Sequence, residues 1–185
     1  MTTVAVTTAG RTAVALRNLY VVRFGFALIW AVLLFLAGPA SGPVSTALLV
    51  IYPLFDVAAA IVDLRSSTTA RPTAALYVNL ALSLLTAVGL AVTAGSGVPA
   101  VLRVWGAWAI TAGIVQLIVA VSRRRLGGQW AMILSGAIST IAGTTFILQS
   151  GTPTASLTNL AGYATAGGVF FLISALRLHR TSKSA

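Results

Sequence analysis

Asp56 and Asp63 are the only carboxylates in 185 residues. Both lie in the apolar stretch Tyr52-Pro53-Leu54-Phe55-Asp56-Val57-Ala58-Ala59-Ala60-Ile61-Val62-Asp63-Leu64-Arg65. Asp56, Ala60 and Asp63 stand at i, i+4 and i+7, which is one face of a helix. A carboxyl so placed offers two chemistries. It can exchange a proton as part of a polar path, or it can accept hydrogen bonds and pin helices together, with Asn79 as partner. Burial disfavours the charged carboxylate, so Asp56 is expected neutral unless a cation or a file of water reaches it. If the role is pinning, Asp56→Asn keeps the size and most of the hydrogen bonding, and folding is expected to survive. Asn79, Ser83 and Gln116 are further polar residues inside apolar runs, and with Asp56 they make the candidate intramembrane polar site.

The cations suggest a second kind of site. Asp63 lies near the end of its helix, two residues from Arg65 and within expected reach of Arg23 and Arg71. An interfacial ion pair is the expectation there. Arg103 stands apart from the other cations, and either snorkels to the headgroups or contacts an anion or lipid phosphate. Arg123-Arg124-Arg125 either sets topology or binds anionic lipid at about 1 kcal/mol per residue. His179 is a lone histidine in a basic tail and is expected to be solvated. An enzyme is hard to assemble from these parts. The chain has no cysteine, one histidine and no carboxylate pair outside one helix, so nucleophile–base and metal-ligand sets lack members. No catalytic residue, metal or cofactor is expected.

The elements that must carry these residues are membrane helices. The chain is 58% hydrophobic and 8% charged, against about 25% charged in a typical soluble domain. Its mean hydropathy is +0.97. Six apolar runs, near Leu19–Ala37, Val44–Leu64, Ala74–Ala94, Pro99–Val121, Trp130–Leu148 and Leu157–Leu176, each approach the ~20 residues needed to span the hydrocarbon. The fold class expected is all-α, a polytopic bundle of six transmembrane helices arranged as three hairpins. Pro53 falls inside the second run and should kink it just before Asp56. Trp105, Trp108, Trp130 and Tyr163 suit interfacial or packing roles. Ser135, Ser139 and Gly143, beside Gly136, Thr140 and Thr144, give two small-residue stripes for close helix contact.

Charge sorts the loops. Eleven of the twelve cations, all but Arg103, fall at alternate loops and the two ends of the chain. By the positive-inside rule these are cytoplasmic, with both termini inside and a multi-pass location in the cell inner (plasma) membrane. The basic start, residues 1–18, resembles a signal n-region, but the run behind it is long for a signal and suits an uncleaved first helix. The segments are then a basic N-terminal tail at 1–18, a membrane domain at 19–178 and a C-terminal tail at 179–185.

The even-numbered runs repeat. Phe55, Trp108 and Tyr163, spaced 53 and 55 residues apart, are each followed five residues later by Ala60, Gly113 and Gly168. The copies continue Ile61-Val62-Asp63-Leu64, Ile114-Val115-Gln116-Leu117 and Val169-Phe170-Phe171-Leu172. Units of about 19–65, 74–123 and 129–177 in one orientation suggest a pseudo-threefold bundle, not an inverted-repeat transporter.

Three such hairpins, with glycine- and aromatic-marked even helices and arginine-ended loops, resemble the HdeD-like acid-resistance membrane proteins, a group built on a short repeat of unknown function. The resemblance covers about residues 19–178. It implies a six-helix membrane fold and a link to acid stress, without a catalytic motif. Two function classes follow. One is a non-enzymatic envelope or stress protein; the other is a channel or transporter for protons or small polar solutes. The expected partners are the lipid bilayer, with anionic lipids as candidates, and a homo-oligomeric or other membrane partner. Nucleic acid is not expected, because the cations sit at helix ends and not on one soluble face.

Overall fold

The computed structural model describes residues 2–66 and 73–181, with side chains over 12–66 and 73–179. Among these residues six α-helices follow one another: α1 (Thr2–Ala37), α2 (Pro43–Ser66), α3 (Thr73–Thr93), α4 (Val98–Ser122), α5 (Gln129–Gln149) and α6 (Thr158–Thr181). Each contains a window long and apolar enough to cross a membrane. Their outward faces carry Ile29, Phe35, Leu85, Val92, Ile141 and Leu148, all exposed, as expected of side chains whose solvent is lipid. The protein is an all-α polytopic membrane protein.

Five of the six helices lie within a few residues of the runs expected from hydropathy. The first does not. It starts at Thr2, well ahead of Leu19. Residues 2–18 hold no proline and a single glycine, Gly10, so nothing ahead of Leu19 breaks the helix. Arg17 and Arg23 therefore sit within one continuous helix and not at its start. The helix ends where Gly38 takes a φ of +91°, a conformation that favours glycine. α2 opens with Pro43, and the Gly42 N–H donates to Ser45 Oγ at 2.7 Å. Pro53 is accommodated within the continuous helix.

The helices form a ring in chain order, closed by contact between α6 and α1. The closest partnerships are α4–α5, α1–α6 and α2–α3, while α1–α2, α3–α4 and α5–α6 pack less intimately. Small residues explain the first of these. Gly106 and Gly113 on α4 face Gly143 and Gly136 on α5. A Cβ at Gly143 would stand 2.5 Å from Gly106 O, and one at Gly113 would stand 2.8 Å from Gly136 O. Backbones this close leave no room for a side chain. Between α1 and α6, Gly168 lies against Ala27.

Inside the ring the residues are layered along the axis. Towards the end where α1 finishes, Leu34, Leu49, Leu90, Leu102, Leu157 and Leu160 are buried together with Trp30, Trp105 and Trp108. Trp30 stacks on Trp105 with centroids 5.3 Å apart, and Tyr52 meets Trp30, Trp105 and Trp108 edge-on. Towards the other, arginine-rich end a smaller core of Leu16, Tyr20, Ala120, Met132, Ala175 and Leu178 closes the bundle. Arg23 and Asp56 lie between these two cores.

Candidate functional site

Asp56 is 13 residues into α2 and Arg23 is 14 residues before the end of α1. At 1.5 Å per residue both lie about 20 Å below the arginine-poor end. They meet there. Arg23 Nη1 is 2.8 Å from Asp56 Oδ1. The second carboxylate oxygen accepts from Asn79 Nδ2 at 2.6 Å and from Ser83 Oγ at 2.8 Å, both on α3. Ser83 Oγ in turn accepts from Trp108 Nε1 on α4 at 3.1 Å. The Arg23 guanidinium also lies 5.2 Å from the centre of the Phe171 ring on α6, within cation–π range. One carboxylate thus draws donors from α1 and α3, and the network reaches α4 and α6.

The expected grouping of Asp56, Asn79 and Ser83 is what the structure brings together. Gln116 joins it only as a wall. Its Nε2 donates to Met132 O on α5 at 3.0 Å, while its side chain lines the same cavity as Asp56. The expectation of a neutral Asp56 carried one condition, that no cation reach it, and Arg23 does reach it. That also changes the expected effect of Asp56→Asn. An asparagine would leave the arginine without its carboxylate, and breaking a buried pair from one side is strongly destabilising.

Asp63 makes the second pair, with a different partner from those expected. Arg123 donates from Nη1 to Oδ2 at 2.7 Å and from Nη2 to Oδ1 at 2.9 Å, a two-pronged contact that suits guanidinium geometry. Arg123 is only 2% exposed, whereas Arg124 and Arg125 are exposed. Arg65 is also exposed, because residues two apart on a helix do not face each other. Arg23 is held one heptad away at Asp56. Arg71 lies outside the described residues, as do Lys183 and the side chains of Arg11 and Arg180. Arg103 is exposed and donates from Nε to Ser150 Oγ at 3.1 Å. His179 is exposed and sits 2.9 Å from Arg17 through Nδ1.

Two cavities flank the Arg23–Asp56 pair. One, of about 90 Å³, lies between the two ion pairs and is lined by Tyr20, Asn79, Gln116 and both arginine–aspartate couples. The other, of about 60 Å³, shares Arg23, Asp56 and Gln116 and adds Tyr52, Trp108, Ser135, Ser139 and Tyr163. Each has volume enough for water beside polar walls. Tyr20 O–H donates to Gln129 Oε1 at 3.4 Å beyond the first, and Tyr163 O–H to Ser139 Oγ at 3.0 Å beside the second.

Sequence reasoning missed the pairing itself, Arg23 with Asp56 and Arg123 with Asp63. A signal for Arg23 was present. The apolar pattern continues upstream through Ala13-Val14-Ala15-Leu16, which places Arg23 well inside a membrane helix. No such signal distinguishes Arg123 from its two neighbours. Comparison with protein-family models, curated proteins and solved structures finds no match to this chain.

Proposed function

We propose that this is a non-enzymatic integral membrane protein whose bundle is latched around a polar chamber by two buried ion pairs. The observation that carries the reading is the saturation of Asp56. Its two oxygens accept from Arg23, Asn79 and Ser83, three residues on two other helices. A carboxylate held this way is suited to fixing helix positions. The aromatic and leucine layer between Asp56 and the arginine-poor end supports closure on that side. The resemblance to HdeD-like proteins adds an envelope role in acid stress, and the arginine distribution favours the inner (plasma) membrane with both termini cytoplasmic.

A second reading, a channel or transporter for protons or small polar solutes, draws support from the two cavities that share Arg23 and Asp56. Flux measurements separate the two. Proteoliposomes carrying the wild-type protein are expected to dissipate an imposed pH gradient no faster than protein-free vesicles. A faster wild-type decay that disappears in the paired variant Arg23→Gln/Asp56→Asn would overturn the latch in favour of conduction.

A further inference from the structure

The least intimate neighbours in the ring leave a cleft on the lipid side. α5 and α6 touch on their inner edges, where Ser174 Oγ donates to Gly128 O at 2.7 Å and Tyr163 reaches Ser139. Gly128 permits that approach, since its φ is +67° and a Cβ there would stand 3.0 Å from Ser174 O. Further out the two helices part. A cleft of about 420 Å³ opens between Trp130, Ile133, Leu134 and Ala137 on α5 and Phe170, Ile173 and Arg177 on α6. These α5 residues stand at i, i+3, i+4 and i+7, with Ala131 at their inner edge, and those of α6 at i, i+3 and i+7, so each set follows one helix face. Seven residue steps on each helix give the cleft a length of about 10 Å along the axis.

Its chemistry changes along that length. The deep part is apolar, with Ala137, Ile133, Phe170 and Ile173. The mouth, at the arginine-rich end, carries Arg177 and the exposed ring of Trp130. Arg124 and Arg125 lie at the same end in the turn ahead of α5, both exposed. An apolar slot with a guanidinium and an indole at headgroup level matches one class of molecule in a bilayer. Interfacial tryptophan sits at the headgroups, and arginine pairs with phosphate.

We propose that the α5–α6 cleft binds one anionic phospholipid of the leaflet at the arginine-rich end. Its phosphate lies at Arg177 and an acyl chain lies along Ile133, Ala137, Phe170 and Ile173.

The protein carries its own reporter. Trp130 is 71% exposed, whereas Trp30, Trp105 and Trp108 are at most 6% exposed. In full-length protein reconstituted into vesicles, lipids brominated on the acyl chain should quench Trp130 and leave the other three tryptophans little affected. Brominated phosphatidylglycerol is expected to quench at about fivefold lower mole fraction than brominated phosphatidylcholine, the equivalent of ~1 kcal/mol per interfacial cation. Arg177→Gln should bring the ratio close to one. Ala137→Phe, which fills the slot, should lower it as well, and Arg103→Gln at the opposite end should leave it intact. Equal quenching by the two lipids in the wild type would overturn the proposal. So would a preference that survives Arg177→Gln but vanishes in Arg124→Gln/Arg125→Gln, which would reveal surface charge alone. Failure of either lipid to quench Trp130 would overturn it too.

Discussion

A guanidinium and a carboxylate near the middle of a bilayer are each costly alone and tolerable together. Arg23 and Asp56 meet that condition at 2.8 Å, while Arg123 and Asp63 pair at 2.7 Å nearer the arginine-rich end, where α2 and α4 finish. Asp56→Asn should therefore destabilise the bundle by about 3–5 kcal/mol, the usual cost of orphaning one member of a buried pair. Adding Arg23→Gln removes the orphaned charge and should recover most of that loss. Reversible unfolding of the single and double variants in mixed micelles measures both. Additive losses in the double variant, or a single variant as stable as wild type, would show that the pair does not hold the helices. At this scale Asp56, Asn79 and Ser83 were legible as a polar group, since each interrupts an apolar run. Gln116 was legible as polar but not as a ligand of Met132 O, because nothing in its own helix points to α5.

The α4–α5 seam is the clearest case of an element-scale interaction. Gly106 and Gly113 oppose Gly143 and Gly136, and the two members of each pair are seven residues apart. A heptad interval keeps one line of glycines against another along both helices. Gly143→Ala would push a methyl carbon into the backbone of α4, and a loss of about 1–3 kcal/mol is expected from overpacking. Gly162 offers the control, since a Cβ there meets nothing within 4 Å. Gly162→Ala should stay within about 0.5 kcal/mol of wild type. Thermal unfolding in detergent compares the two, and equal effects would remove the seam's special status. Small-residue stripes on α5 were visible in the sequence. The seam in fact takes Gly136 from one stripe and Gly143 from the other, a choice made by the glycines of α4.

For the whole molecule, the arginines provide the testable statement. Arg65, Arg71, the Arg123–Arg125 run and the C-terminal cations mark alternate ends of successive helices, and positive loops stay in the cytoplasm. Reporter fusions at Gly42, Ser96 and Thr152 should score outside the cell, and those at Ser67 and Gly127 inside. A C-terminus found outside would defeat the proposed orientation. The ring itself has a different basis. It closes because α1 reaches α6, with Gly168 against Ala27 and Arg23 over Phe171, contacts between the two ends of the chain.

The sequence by itself determined the number of helices, most of their limits and their alternation of charge. Those properties depend on about 20 consecutive residues at a time, because transfer into lipid is set by local composition. It failed at the start of α1, where weakly apolar threonines and alanines conceal a helix that no residue breaks. The tertiary structure decided which side chains meet. Arg123 finds Asp63 across 60 residues and Asn79 finds Asp56 across 23. Such meetings depend on the rotation and axial offset of each helix, and these are set where backbones touch. Glycine at Gly106, Gly113, Gly136 and Gly143 brings α4 against α5, whereas bulkier facing side chains leave α5 and α6 apart. Hydropathy carries no information about either angle or offset, so the ion pairs, the chamber and the lipid-facing cleft became visible only in the packed bundle.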